Sequence, residues 1–169
     1  MIIVKWIIYT MIFGVSTIIG ILFSQKYEKR VLELKEFKSA FIMLKTKIRY
    51  TYEPLKEIFE EISKHINSNA SKTFEKASKY MENEDSTYSW NKAVQNTQLE
   101  ITKEDKNTLY ELGKMLGKTD KDGQISQIEL TTTFLDSQIE KAEKEMEKNS
   151  KLYKTLGAIT GIGIIIILL

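Results

Sequence analysis

An all-α fold is what this sequence predicts: a charged helical body with a hydrophobic helix at each end. Three observations carry that expectation. One proline and eight glycines in 169 residues are too few for a turn-rich β fold. Apolar residues recur at spacings of three and four through most of the middle. All 23 acidic residues and all but one of the 25 basic ones lie between Ser24 and Lys154, Lys5 being the exception. The chain thus divides into three parts, residues 1–23, 24–154 and 155–169.

The first part runs from Trp6 to Phe23 without a formal charge. Eighteen residues of helix span roughly 27 Å, close to the hydrocarbon thickness of a bilayer. A cleaved signal peptide is disfavoured, because Ile18-Ile19-Gly20-Ile21-Leu22-Phe23 is bulky where small residues would be needed. The last part, Thr155 to Leu169, gives only about 22 Å of helix. Leu152 and Tyr153, with Lys151 and Lys154 reaching back to the headgroups, bring it near a full span. The alternative is a buried core helix. Gly157, Gly161 and Gly163 supply a small-residue surface on which another transmembrane helix can pack closely. Lys26, Lys29, Arg30, Lys35 and Lys38 follow the first segment, and Lys141, Lys144, Lys148, Lys151 and Lys154 precede the second. The positive-inside rule then places residues 24–154 in the cytoplasm and both termini across the cell membrane, giving two transmembrane helices around a cytoplasmic domain.

Within the middle, Tyr27, Val31, Leu34, Phe37, Phe41, Leu44 and Ile48 lie on one helix face. With no Gly or Pro between them and the first span, one helix is expected to run to about Tyr50, and Pro54 marks its break. Four short helices follow: Pro54 to about Ile66 (Leu55, Ile58, Phe59, Ile62), ended by Asn67-Ser68-Asn69; Ser71 to Glu82 (Phe74, Ala77); Tyr88 to Thr97 (Trp90, Ala93, Val94); and one beginning at Thr102, with Asp105 three residues on as a capping partner, and stopping at Gly117. The last helix keeps Ile125, Ile128, Thr132, Leu135, Ile139, Ala142 and Met146 in heptad spacing. Both long helices meet the same membrane face, so they are expected to pair antiparallel, as a stalk of roughly 35–40 Å with the short helices packed on it.

Little in the chain suggests catalysis. No cysteine is present and His65 is the single histidine, which leaves no thiol nucleophile, no zinc site and no Ser-His-Asp set. No glycine-rich phosphate loop occurs. Residues 24–154 carry 24 basic against 23 acidic residues, a net charge of about +1 that argues against a nucleic-acid partner. The expectation is a protein that is not an enzyme and takes no cofactor and no small-molecule substrate. Lys118 to Glu129 resembles a twelve-residue calcium loop, with Asp120, Asp122, Gly123 and Glu129 in register, but Lys118 stands where the first carboxylate belongs. The plainer reading is that Asp120 or Thr119 caps the last helix. For protein contact the candidates are the acidic stretch Glu82, Glu84 and Asp85 with Tyr88 and Trp90, although a helical Trp90 also reads as core.

Ile48-Arg49-Tyr50-Thr51-Tyr52-Glu53-Pro54-Leu55, the Trp90 helix, Leu116-Gly117-Lys118-Thr119-Asp120 with Gln124, and Lys151-Leu152-Tyr153-Lys154-Thr155-Leu156-Gly157 occur in an order that resembles the stage III sporulation protein AB family. Pro54, Leu55, Gly117, Asp120, Gln124, Leu156 and Gly157 carry the likeness. The resemblance implies a cytoplasmic domain similar to those of the platform proteins of type II secretion and type IV pilus systems. It also implies a place in the mother-cell membrane around the forespore, beside a secretion-like channel whose cytoplasmic ATPase the protein anchors; the expected partners are the membrane, that ATPase and other channel subunits. Secretion platform proteins carry duplicated cytoplasmic domains and this chain has one, so anchoring follows from the likeness more directly than ATPase-driven rotation does. The alternative is a membrane-tethered sensor or scaffold with a degenerate calcium-like loop as its input.

Overall fold

A computed structural model describes residues 2–65 and 68–168, with the side chains of Ile2 and Ile3 excepted. Six helices follow in order: α1 (Ile2–Tyr50), α2 (Leu55–His65), α3 (Asn69–Tyr80), α4 (Ser86–Asn96), α5 (Lys103–Met115) and α6 (Lys121–Leu168). No strand occurs among the described residues, and the all-α expectation holds. Ile66 and Asn67, expected at the end of the second helix, and Leu169, expected to close the second apolar segment, lie outside the described residues. Two compact units divide the chain: a helical body over Leu32–Glu140, and a hairpin made of α1 up to Val31 with α6 from Lys141 onward.

In the body, α1 and α6 run antiparallel. Lys38 Nζ pairs with Asp136 Oδ1 at 2.5 Å and Lys45 Nζ with Glu129 Oε1 at 3.5 Å, so advance along one helix is retreat along the other. Each short helix packs on the next. Leu34, Phe37, Phe41 and Leu44 of α1, Phe59 and Ile62 of α2, Phe74 of α3, Trp90 of α4, Leu109 and Leu112 of α5, and Ile128 and Leu135 of α6 are all buried. Aromatic rings dominate the centre: Phe59 to Phe74 at 5.0 Å, Phe74 to Trp90 at 5.1 Å and Phe41 to Trp90 at 5.9 Å between centroids, all tilted or edge-on.

Helix ends are set by local chemistry. Thr102 Oγ1 accepts from Asp105 N and Asp105 Oδ2 accepts from Thr102 N, the reciprocal cap that the spacing predicts. Ser68 and Ser71 form the same box at the start of α3, so Ser68 opens a helix as well as following one. Asp85 caps α4 by accepting from Tyr88 N at 3.0 Å. The carbonyl of Pro54 accepts from Ile58 N, beginning α2 where the break is expected.

One buried acid ties three elements. Glu33 of α1 is 4% exposed; its Oε1 accepts from Asn69 Nδ2 at 2.8 Å and its Oε2 from the backbone N–H of Glu100 at 2.7 Å. Bonds to a charged acceptor are worth about 1.5–3 kcal/mol each, and deleting it strands both donors. Glu33→Ala should therefore lower stability by about 3 kcal/mol, and Glu33→Gln, which keeps one acceptor, by about half that. Urea melts of the full chain in detergent micelles, read by helical circular dichroism, measure both.

Candidate functional site

The hairpin is built on close backbone contact. A Cβ placed on Gly20 would lie 2.6 Å from the carbonyl oxygen of Tyr153 and 3.0 Å from Cα of Gly157; one placed on Gly157 would lie 2.8 Å from the carbonyl of Ser16. Ser16 Oγ donates to the Gly157 carbonyl at 2.7 Å. Gly161 sits against Phe13 and Ser16. Gly157 and Gly161, read in the sequence as a surface for another helix, are thus spent on the chain's own first helix, while Gly163 meets nothing within 4 Å. Below this crossing Phe23 and Tyr27 each stack on Tyr153 with centroids 5.8 Å apart.

A polar knot follows. Ser24 and Ser150 hydroxyls lie 2.8 Å apart, and Glu28 Oε1 accepts from Ser24, Ser150 and Lys154 at 3.3, 3.1 and 3.0 Å. Arg30, buried, donates to Glu145 Oε2 at 2.6 Å. The hydrogen bond from Lys154, then that from Ser150, holds the Glu28 carboxyl below its usual range. A carboxylate depressed in the folded state contributes stability that is present above the ordinary pKa of about 4.3 and is lost as pH falls through the lower folded value. Glu28 is half-exposed, so the effect is small in absolute terms. Thermal midpoints measured from about pH 6 down to about pH 3 should fall, and Glu28→Gln should flatten part of that slope.

Both long helices are long and apolar enough to cross a membrane, by length and composition, and little of either apolar stretch is buried. Trp6, Ile7, Met11, Val15, Ile18, Leu22, Ile159, Ile162 and Ile166 all face outward. Apolar surface of that extent supports membrane association.

In the body, the candidate contact residues separate. Glu82, Glu84 and Tyr88 are exposed; Asp85 is exposed and engaged as the α4 cap; Trp90 is 0% exposed and donates from Nε1 to the Leu109 carbonyl at 2.7 Å. Of the two readings open to Trp90, the structure takes the core. The calcium-like stretch is mostly helix, since α6 begins at Lys121, and a chain wound into a helix from its fourth position does not wrap an ion. Asp120 Oδ1 accepts from Gly123 N at 2.9 Å, so of the two residues expected as caps, Asp120 and Thr119, it is Asp120 that holds this N–H. Gly117, at φ 71°, ends α5 in the left-handed region that favours glycine, and its N–H donates to Gln124 Oε1 at 3.2 Å while Gln124 Nε2 donates to the Thr119 carbonyl at 3.1 Å. Gly117, Asp120 and Gln124 form one clasp that turns the chain from α5 into α6. Of the remaining residues that carry the family likeness, Pro54 starts α2, Leu55 is half-buried on it, and Leu156 is exposed on the hairpin beside Gly157. Among the described residues no three His, Cys, Asp or Glu side chains gather where a metal would need them.

Comparison with known proteins agrees with this architecture. The family model described as stage III sporulation protein AB matches residues 5–169. The stage III sporulation protein AB of Bacillus subtilis (strain 168) is 25% identical over 158 residues, covering 91% of this chain and 92% of that protein. A solved structure of a stage III sporulation protein AB superposes with a TM-score of 0.65 at 23% identity, covering 70% of this chain and 96% of the solved one, and shares its fold. With the family match running through the body and both apolar helices, the chain belongs to the stage III sporulation protein AB family.

Proposed function

We propose that the chain is a membrane platform subunit of the sporulation channel complex, which anchors a cytoplasmic secretion-type ATPase through its helical body. The observation that carries this reading is the joining, in a chain of a sporulation family, of an apolar two-helix hairpin to a folded helical unit. That construction suits the holding of a partner at a membrane surface. Lysines flanking both apolar segments support a topology with the body in the cytoplasm of the mother cell and both termini across the membrane.

Affinity capture from sporulating cells tests the anchoring: recovery of a secretion-type ATPase with the full chain supports it, and its absence from otherwise intact complexes sinks it. Topology is tested separately, because the chain has no cysteine of its own. In intact protoplasts of non-sporulating cells that express the chain, where the cell membrane presents its outer face to the medium, a membrane-impermeant maleimide should label Lys5→Cys and reach Asn83→Cys only after lysis. The reverse pattern would invert the orientation.

A further inference from the structure

The outer side of α4, where it meets α5, holds a surface pocket of about 360 Å³ lined by Tyr88, Asn91, Lys92, Gln95 and Tyr110. Its chemistry is one-sided. The lining supplies an ammonium, two phenol hydroxyls and two carboxamides, and no carboxylate. Lys92 Nζ lies 4.8 Å from the ring centroid of Tyr80 and 5.1 Å from that of Tyr88, so its position is fixed by two aromatic faces. Among the described residues no carboxylate lies within ion-pair distance of it. Asp85, the acid nearest in sequence, is engaged by the N–H of Tyr88.

Asn91 sharpens the picture. Its Oδ1 is sealed from solvent and has no hydrogen-bond partner, pressed where a Cβ on Gly113 would come within 2.7 Å of it. Thr87 Oγ1, one turn earlier on the same face, is likewise buried without a partner. With Oδ1 turned inward, the amide nitrogen on the other side of Cγ is the group left for the pocket, and it is not among the sealed atoms. A carboxamide held in this orientation at the cost of an unmet acceptor leaves the pocket a donor. The Tyr88 and Tyr110 hydroxyls, too, donate to nothing among the described residues.

A preset cation, several unused donors and no acid define a receptor for an anion. Because one lysine supplies the only formal charge, a single negative charge balances it; a phosphate would leave about one charge uncompensated. We infer that the α4–α5 pocket is a docking socket for an acidic side chain, Glu or Asp, presented by a partner protein, with the carboxylate on Lys92 Nζ and the Asn91 amide nitrogen. The socket rests on the pocket alone and does not depend on the identity of the anchored ATPase.

The full chain in detergent micelles, labelled with 3-fluorotyrosine, reports on this directly, since two of its eight tyrosines line the pocket. The probes are acetyl-Gly-Glu-Gly-amide, its Gln counterpart and inorganic phosphate. Titration with the Glu peptide should move the Tyr88 and Tyr110 fluorine resonances saturably, assigned by Tyr→Phe variants, while the Gln peptide gives a response weaker by about fivefold or more. Lys92→Met, which keeps the stem, should weaken Glu-peptide binding by about tenfold, and Gln95→Ala, at an exposed position, by about twofold, with circular dichroism unchanged in both. Equal response to the Glu and Gln peptides, tighter binding of phosphate, shifts spread over all the tyrosines, or indifference to Lys92→Met would each overturn the assignment.

Discussion

Gly20→Leu should open the hairpin, lowering the rate of a disulfide cross-link between its two arms by an order of magnitude, roughly the effect of 1.4 kcal/mol. The reason is that the atoms opposing Gly20 are backbone: the Tyr153 carbonyl at 2.6 Å and the Gly157 Cα at 3.0 Å from any Cβ placed there. A side-chain neighbour can rotate away, but backbone moves only with its helix. Relief therefore separates the helices by roughly 1 Å, enough to forfeit a quarter to a half of each dispersion contact across the crossing. The Ser16 to Gly157 hydrogen bond, now 2.7 Å, lengthens with it. In the membrane topology proposed above no hydrophobic drive between the helices compensates, so close packing and such hydrogen bonds carry the association. The absence of cysteine makes the readout clean. Ser24→Cys with Ser150→Cys, at positions whose hydroxyls are 2.8 Å apart, should oxidise readily and shift mobility on a non-reducing gel. Gly14→Leu is the control, because its Cβ meets nothing within 4 Å. If Gly20→Leu cross-links as fast as Gly14→Leu, the crossing is not where the structure puts it.

That contact illustrates which parts of the molecule were readable in advance. Helix existence and order followed from spacing, and the cap at Thr102 with Asp105 and the stop at Gly117 followed from local chemistry, because these depend on residues within a turn of one another. Pro54 marked its break for the same reason. Long-range partnerships were not legible. Gly157 and Gly161 announced a close approach without saying to what, and the answer lies more than a hundred residues away in Phe13, Ser16 and Gly20. Glu33 gave no signal at all: an acid beside Leu34 reads as the solvated edge of a helix, and only the arrival of Asn69 and the Glu100 backbone makes its burial affordable. Ser68 read as the end of one helix and proved to be the cap of the next, since Ser and Asn serve both purposes. The socket residues Asn91, Lys92 and Gln95 look in sequence like any polar helix face; what singles them out is the orphaned Asn91 oxygen, which exists only once Gly113 lies beneath it.

Trp90→Ala should be the most destabilising single truncation in the body, costing about 3–5 kcal/mol, a large share of the 5–15 kcal/mol that typically holds a domain folded. The indole is fully buried, touches the rings of Phe41, Phe59 and Phe74, and spends its N–H on the Leu109 carbonyl, so deletion removes apolar burial, ring contacts and a hydrogen bond together. Trp90→Phe keeps most of the burial and should cost about 1–2 kcal/mol. Gly113 provides the decisive cross-check. Glycine inside α5 is a poor helix former, and alanine there would gain about 1 kcal/mol from propensity alone. Yet its Cβ would fall 2.5 Å from Trp90 Cδ1 and 2.7 Å from Asn91 Oδ1, an overpacking that costs about 1–3 kcal/mol. Gly113→Ala should therefore destabilise the native chain and destabilise it less, or not at all, in the Trp90→Phe background, where the smaller ring leaves room. A coupling of at least about 0.5 kcal/mol between the two substitutions, from urea midpoints of the four chains in micelles, is the expected result. Strict additivity would mean that the indole does not rest on α5, and with that the physical reason for a glycine in the middle of that helix would be lost.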